Sequence, residues 1–222
     1  MVHTPDPWTA AAALLDSSRR ALYDAVRRAG RPVARDEAAA TTGMSRGLAA
    51  FHLDKLVDAG LLTARYEAPG DRPRGRGRTP KVYEATGDGV TVTVPERRYQ
   101  LIAEILAAAV DDDPAHADAA ASRHAHQRGH DLGAACAAGG AALPEALTGL
   151  GYEPEAAGGE VLLRNCPFHA LAGAHTALIC GLNQAFLAGL LTGMRVTDRQ
   201  AVLAPDPGRC CVALTGTGGG TG

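Results

Sequence analysis

From Ser17 to Gly30 the chain reads SSRRALYDAVRRAG, with Leu22, Val26 and Ala29 at helical spacing between a leading hydroxyl and a closing glycine. That pattern predicts one helix. A second is predicted from near Arg35, where RDEAAATTG places acids in the first turn and Gly43 at the end, both favoured by the helix dipole and by C-terminal capping. Ser45 caps a third, SRGLAAFHLDKLVDAG, which stops at Gly60. At about 100° per residue, Ala49, Leu53, Leu56, Val57 and Gly60 of this third helix share one sector, while Gly47, Phe51 and Lys55 point the other way. LLTARYE and VYEAT then read as strands on either side of APGDRPRGRGRTPK, a hairpin with a long tip.

Beyond the hairpin, VPERRYQLIAEILAAAV (94–110) has apolar residues at helical intervals, and the Ala-rich stretch 114–138 is expected to be helical too. AAGGAALPEALTGLGYEPEAAGGE is a Gly/Pro/Ala-rich passage around a short helix. The rest reads as a strand, a helical block and a strand pair, an α+β module. Residues 165–194 contain no Asp, Glu, Lys or Arg, but His169, His175, Asn183 and Gln184 interrupt the run, so a buried helix is expected and not a membrane span.

Charge divides the 222 residues in two: 1–100 carry 16 Lys/Arg against 12 Asp/Glu, and 101–222 carry 6 against 12, hence +4 and −6. Such asymmetry marks a nucleic-acid-facing half. Helix, glycine-containing turn, helix is a helix-turn-helix pattern. On the free face of the third helix, Phe51 can touch a thymine methyl or else cover a neighbouring helix, and Lys55 can meet phosphate. Ser45 and Arg46 stand at the helix end that enters a groove. In the hairpin tip Arg72, Arg74, Arg76, Arg78 and Lys81 alternate with Gly and Pro, presenting five cations to phosphates or a minor groove.

TTGMSRGLAAFHLDKLVDAGLLTARYE with RPRGRGRTPKVYEAT resembles the winged-helix domain of bacterial ArsR/DeoR-type transcriptional regulators, chiefly in HLDKL, GLL and the GRGRTPKVY wing. The expected fold is α+β and mainly helical. It comprises a winged helix-turn-helix at 17–90, a helical connector and dimerisation region at 94–138, and a cysteine-bearing α+β sensor domain at 142–215. A double-stranded DNA operator with two-fold symmetry calls for a homodimer. The N-terminus lacks a Lys or Arg ahead of its apolar stretch and has two early prolines, so no secretory signal and a cytoplasmic location are expected, with no membrane partner.

Five cysteines, an odd number, without an export signal point to reduced thiols available for metal or redox chemistry rather than to a disulfide framework. Cys166, Cys180, Cys210 and Cys211 lie in the last quarter and none forms a CxxC pair, which argues against a zinc ribbon. Cys136, alone among alanines, reads as a small buried hydrophobe. His126 and His130, four apart, read as a solvated helix face. Soft thiolates from three separate segments suit an iron–sulfur cluster. One straight helix from His169 through Cys180 would hold Cys166 and Cys180 too far apart, so a break near Gly173, His175 and Thr176 is expected, with Cys180 about a turn into a new helix. Cys210 shares a strand face with Val212 and Leu214 and is the preferred ligand of its pair.

NCPFH, LICGLN and RCCV, with 13 and 29 residues between Cys166, Cys180 and Cys210, resemble the SufR-type repressors. That resemblance implies a cluster, 2Fe-2S or 4Fe-4S, in the C-terminal half controlling DNA binding. Cys211, His169, His175 or an exogenous thiol would complete the ligands. The alternative keeps the DNA head and gives the C-terminal half zinc or a small molecule. A thiol enzyme using Cys166 with His169 or His175 as base lacks an orienting carboxylate and leaves the wing unexplained, so no enzymatic activity is expected.

Overall fold

The computed structural model describes residues 6–67, 79–87, 89–206 and 208–217. The chain forms two compact units, Met1–Val92 and Thr93–Gly222.

The first unit opens with α1 (Pro7–Ala13), whose Asp6 side chain accepts from the Thr9 N–H. Helix α2 (Ser17–Ala29) is capped by Asp16, one residue ahead of the expected hydroxyl, and closes on Gly30 in the left-handed region at φ 60°. A short strand β1 (Val33–Ala34) leads into α3 (Arg35–Thr42), which ends on Gly43 at φ 68°. Helix α4 (Arg46–Asp58) starts where the Ser45 hydroxyl accepts from the Leu48 N–H at 3.3 Å. Strands β2 (Leu62–Tyr66) and β3 (Lys81–Ala85) pair antiparallel, Leu62 opposite Ala85 and Tyr66 opposite Lys81, and β1 adds to the other edge of β3. The core is Leu22, Val26, Ala49, Leu53, Leu56, Leu61 and Leu62 with Tyr83, so the predicted inner sector of α4 is the buried one. Val57 is only partly buried, and His52, unforeseen, takes an inner place.

In the second unit, α5 (Tyr99–Asp112) and a 3₁₀ turn (Pro114–His116) lead into α6 (Ala117–Ala138). Next come α7 (Leu143–Gly149), the hairpin β4 (Pro154–Ala157) and β5 (Glu160–Leu163), α8 (His169–Ala174) and α9 (Thr176–Gly193). The last strands are β6 (Arg199–Leu203) and β7 (Val212–Gly216), and the sheet runs β4-β5-β7-β6, antiparallel throughout.

Helices α6 and α9 lie side by side at backbone contact. A Cβ on Gly129 would overlap the Phe186 carbonyl, and one on Gly133 the Leu190 carbonyl; Gly189 and Gly193 meet the His126 and His130 carbonyls in the same way. Glycine is required at these four places because only a missing Cβ permits the approach. The residues expected as a helical connector, 94–138, pack with the rest of the second unit. The apolar faces of α5 and α6, including Ile102, Ile105, Ala121 and Ala125, join Phe186, Leu187 and Leu190 of α9 in one core. Among the described residues α9 alone is long and apolar enough to cross a membrane, and more than half of it is buried inside this unit.

Candidate nucleic-acid interface and cysteine centre

The face of α4 opposite the core presents Gly47, Leu48, Phe51, Asp54, Lys55 and Asp58 to solvent. Phe51 is 56% exposed and its ring meets the His52 imidazole edge-on, so it covers no neighbouring helix within the unit. Arg46 at the helix start pairs with Asp36 of α3 at 2.5 Å, and Lys55 with Asp58 at 3.3 Å. Lys81, where the wing strand begins, donates to Asp54 at 2.6 Å, and the Tyr83 hydroxyl donates to the same carboxylate. This contact ties β3 to the middle of α4. The bond to Asp54 also raises the Lys81 ammonium above its ordinary pKa, so it stays charged. Exposed pairs of this kind are worth at most about 1 kcal/mol each. Of the predicted DNA-contacting residues, the structure gathers Ser45, Arg46, Phe51, Lys55 and Lys81 on α4 and β3; Arg72, Arg74, Arg76 and Arg78 lie outside the described residues.

In the second unit the chain breaks at His175, between α8 and α9, within the stretch where a break was expected. The Thr176 hydroxyl does not cap the new helix; it donates back to the Ala172 carbonyl at 2.7 Å. Cys180 is thereby the fifth residue of α9. Its partner is Cys211, to which it is joined as a disulfide with Cα atoms 6.2 Å apart. The expectation that all the thiols stay reduced is corrected. The second turn of α9 and the lead into β7 arrive within the Cα separation that a disulfide spans.

Cys166 and Cys210 remain free and buried, close enough for each thiol to shift the ionisation of the other. The Cys210 N–H donates to Leu163 O at 2.8 Å, which locks this lead-in to the end of β5. The Asn183 amide, fully buried on α9, donates to the Cys210 sulfur at 3.1 Å while its oxygen accepts from the Tyr152 hydroxyl at 2.5 Å. Arg97 donates to the Cys166 carbonyl at 2.9 Å and to Asn165 at 2.6 Å. The bond from the Cys210 thiol, with the Phe168 N–H and the Arg97 charge, brings Cys166 down to about 7 against its burial. The same bond and burial push Cys210 well up. Burial, then the neighbouring sulfurs, raise the Tyr152 hydroxyl.

All four cysteines predicted as ligands thus meet where α9, the Cys166 loop and the lead into β7 converge, but as two pairs. In this disulfide-bonded state, and among the described residues, no three His, Cys, Asp or Glu side chains are grouped to hold a metal ion. His169 and His175 are both exposed, whereas Cys166 is buried, and neither ring hydrogen-bonds a cysteine among the described residues. Neither histidine is placed as a ligand or as a base for Cys166. Tyr152, Asn183 and Arg97 were not anticipated. A lone Asn in an apolar helix was the only available signal.

Helices α2, α3 and α4, the β2–β3 wing strands and the exposed face of α4 define the first unit as a winged helix-turn-helix domain. Residues 14–65 match a family model described as a helix-turn-helix domain, the kind of domain that DNA-binding transcription regulators carry. No match to the chain was found among curated proteins or among solved structures.

Proposed function

We propose that the protein is a homodimeric transcriptional repressor whose operator affinity is set by an iron–sulfur cluster held by Cys166, Cys180, Cys210 and Cys211. The observation supporting this reading is that four cysteines from three chain segments lie as two neighbouring pairs, three of them buried and Cys211 partly so, in a chain that also carries a helix-turn-helix domain. The donor set suits soft iron sulfides once the Cys180–Cys211 bond is opened by a two-electron reductant, giving four sulfurs and no competing oxygen charge. When bound, such a group supplies a redox-labile, oxidant-sensitive signal. The chain's own part is to hold Cys166 ionised near neutral pH, to fix Cys210 through Asn183, and to keep the site within an apolar wall.

The test is anaerobic purification followed by iron, acid-labile sulfide and zinc analysis, with operator binding measured on the same sample. Matched iron and sulfide, and a roughly 5- to 150-fold difference in DNA affinity between loaded and unloaded protein, are expected, the range typical of about 1–3 kcal/mol of coupling. Zinc alone, or no metal after reconstitution, assigns the second unit to another signal and leaves the DNA head standing. Replacing Arg74, Arg76 and Arg78 by Gln is expected to weaken binding and to flatten the log–log salt dependence by about 0.9 for each phosphate no longer neutralised. An unchanged slope removes the wing from the interface.

A further inference from the structure

On the exposed face of α4, every side chain capable of hydrogen bonding in the first three turns already has a partner in the protein. Arg46 is held by Asp36, Asp54 by Lys81 and Tyr83, and Lys55 by Asp58. What the face leaves unpaired is apolar. Leu48 is 46% and Phe51 56% exposed, three residues apart and so adjacent on the helix surface. Between them on the chain, Ala49 and Ala50 turn away, and Gly47 beside them has open space where a Cβ would stand. Two large apolar groups at the leading end of a helix, bordered by Arg46 and Lys55, form a patch that sequence-neutral phosphate contacts would flank. The major groove offers one strongly apolar feature to such a patch, the C5-methyl group of thymine.

We propose that Leu48 and Phe51 together are the base-discriminating pair of α4, reading thymine methyl groups in the major groove. Arg46, Lys55 and Lys81 exchange their carboxylate partners for phosphate and set the register. This rests on the first unit binding duplex DNA, and it adds which side chains select the sequence and by what chemistry.

The test uses the full chain. Duplexes are selected from a random pool, and each thymine in the recovered site is replaced singly by uracil, which removes the methyl and leaves every hydrogen-bonding edge intact. Wild-type protein is expected to lose about fourfold in affinity at each contacted methyl, the ratio that burial of one such group gives. Leu48→Ala and Phe51→Ala, both at exposed positions and expected to melt as wild type does, should each bind the thymine and uracil forms alike at the position they contact. Salt-dependent binding with no thymine-to-uracil difference anywhere, or variants that keep the wild-type ratio, overturns the inference while leaving DNA binding intact. A fall in oligomeric mass in Leu48→Ala with an unchanged ratio assigns the patch to a second copy of the chain, and overturns it too. Failure to recover any duplex overturns both this inference and the reading it rests on.

Discussion

Cys166 and Cys210 are buried neighbours inside an apolar core, and the groups around them decide which sulfur keeps the proton. Cys166 receives the Cys210 S–H, the Phe168 N–H and the field of Arg97, so its thiolate is stabilised to about 7. Cys210 loses by the same bond. Thiolate absorbance in the far ultraviolet should therefore show one sulfur ionising around pH 7, absent in Cys166→Ser. In Cys210→Ala the donor is gone, and the transition should move up toward the ordinary thiol value. A transition that stays near 7 in Cys210→Ala would show that Arg97 and Phe168 suffice. Asn183 serves the same pair from the other side. Asn183→Leu leaves the Tyr152 hydroxyl without its partner in a buried site, which is expected to cost about 1–3 kcal/mol in denaturant unfolding. The cysteines stood out in the sequence because the residue is rare and its chemistry narrow. Which pairs with which was not legible, since the pairing depends on how the lead into β7 is registered against β5 and α9, a property of the sheet. Phe51 was legible as exposed from its sector alone. Its neighbour Leu48, at the edge of that sector, was not singled out.

The boundaries of α2, α3 and α4 were readable because local chemistry sets them: Ser45 caps α4, and Gly30 and Gly43 take the left-handed conformation that ends α2 and α3, whereas α1 and β1 were not foreseen. β4 was missed because Pro154–Ala157 has no alternating apolar pattern and exists by pairing with β5. The stretch 114–138 was legible as an Ala-rich helix, but its packing was not: Gly129, Gly133, Gly189 and Gly193 form matched four-residue spacings that bring two helices together. That spacing was present in the sequence, but its meaning depends on a partner helix far along the chain. Gly129→Ala should drive a methyl into the Phe186 carbonyl and separate the helices. The expected loss is about 1–3 kcal/mol or more, as for overpacked cores. Gly173→Ala, with open space around its Cβ position, is the control and should change little. Equal stability of the two variants would show that the α6–α9 approach is looser than its geometry states.

At the scale of the whole molecule, the two units carry opposite charge and separate chemistry, and the proposed link between them runs through one mutually exclusive choice. Cys180 cannot be both half of a disulfide with Cys211 and a thiolate ligand, so under the proposed function a cluster-loaded protein would be a different state from the disulfide-bonded one. Opening the bond takes two electrons and two protons from a dithiol-class reductant and frees the α9 sulfur from its tie to the lead into β7. Non-reducing peptide mapping of protein separated by iron content reads this directly. In the iron-free, air-exposed fraction, the Cys180–Cys211 linked peptide should be present and the denatured chain should hold three alkylatable thiols, Cys136, Cys166 and Cys210. In the fraction with matched iron and sulfide, the linked peptide should be missing. Cys211→Ser cannot form the link and should show all its remaining thiols reduced in air. The linked peptide at full occupancy in iron-loaded protein would remove Cys180 and Cys211 from the ligand set and leave the redox state of that pair without influence on the site.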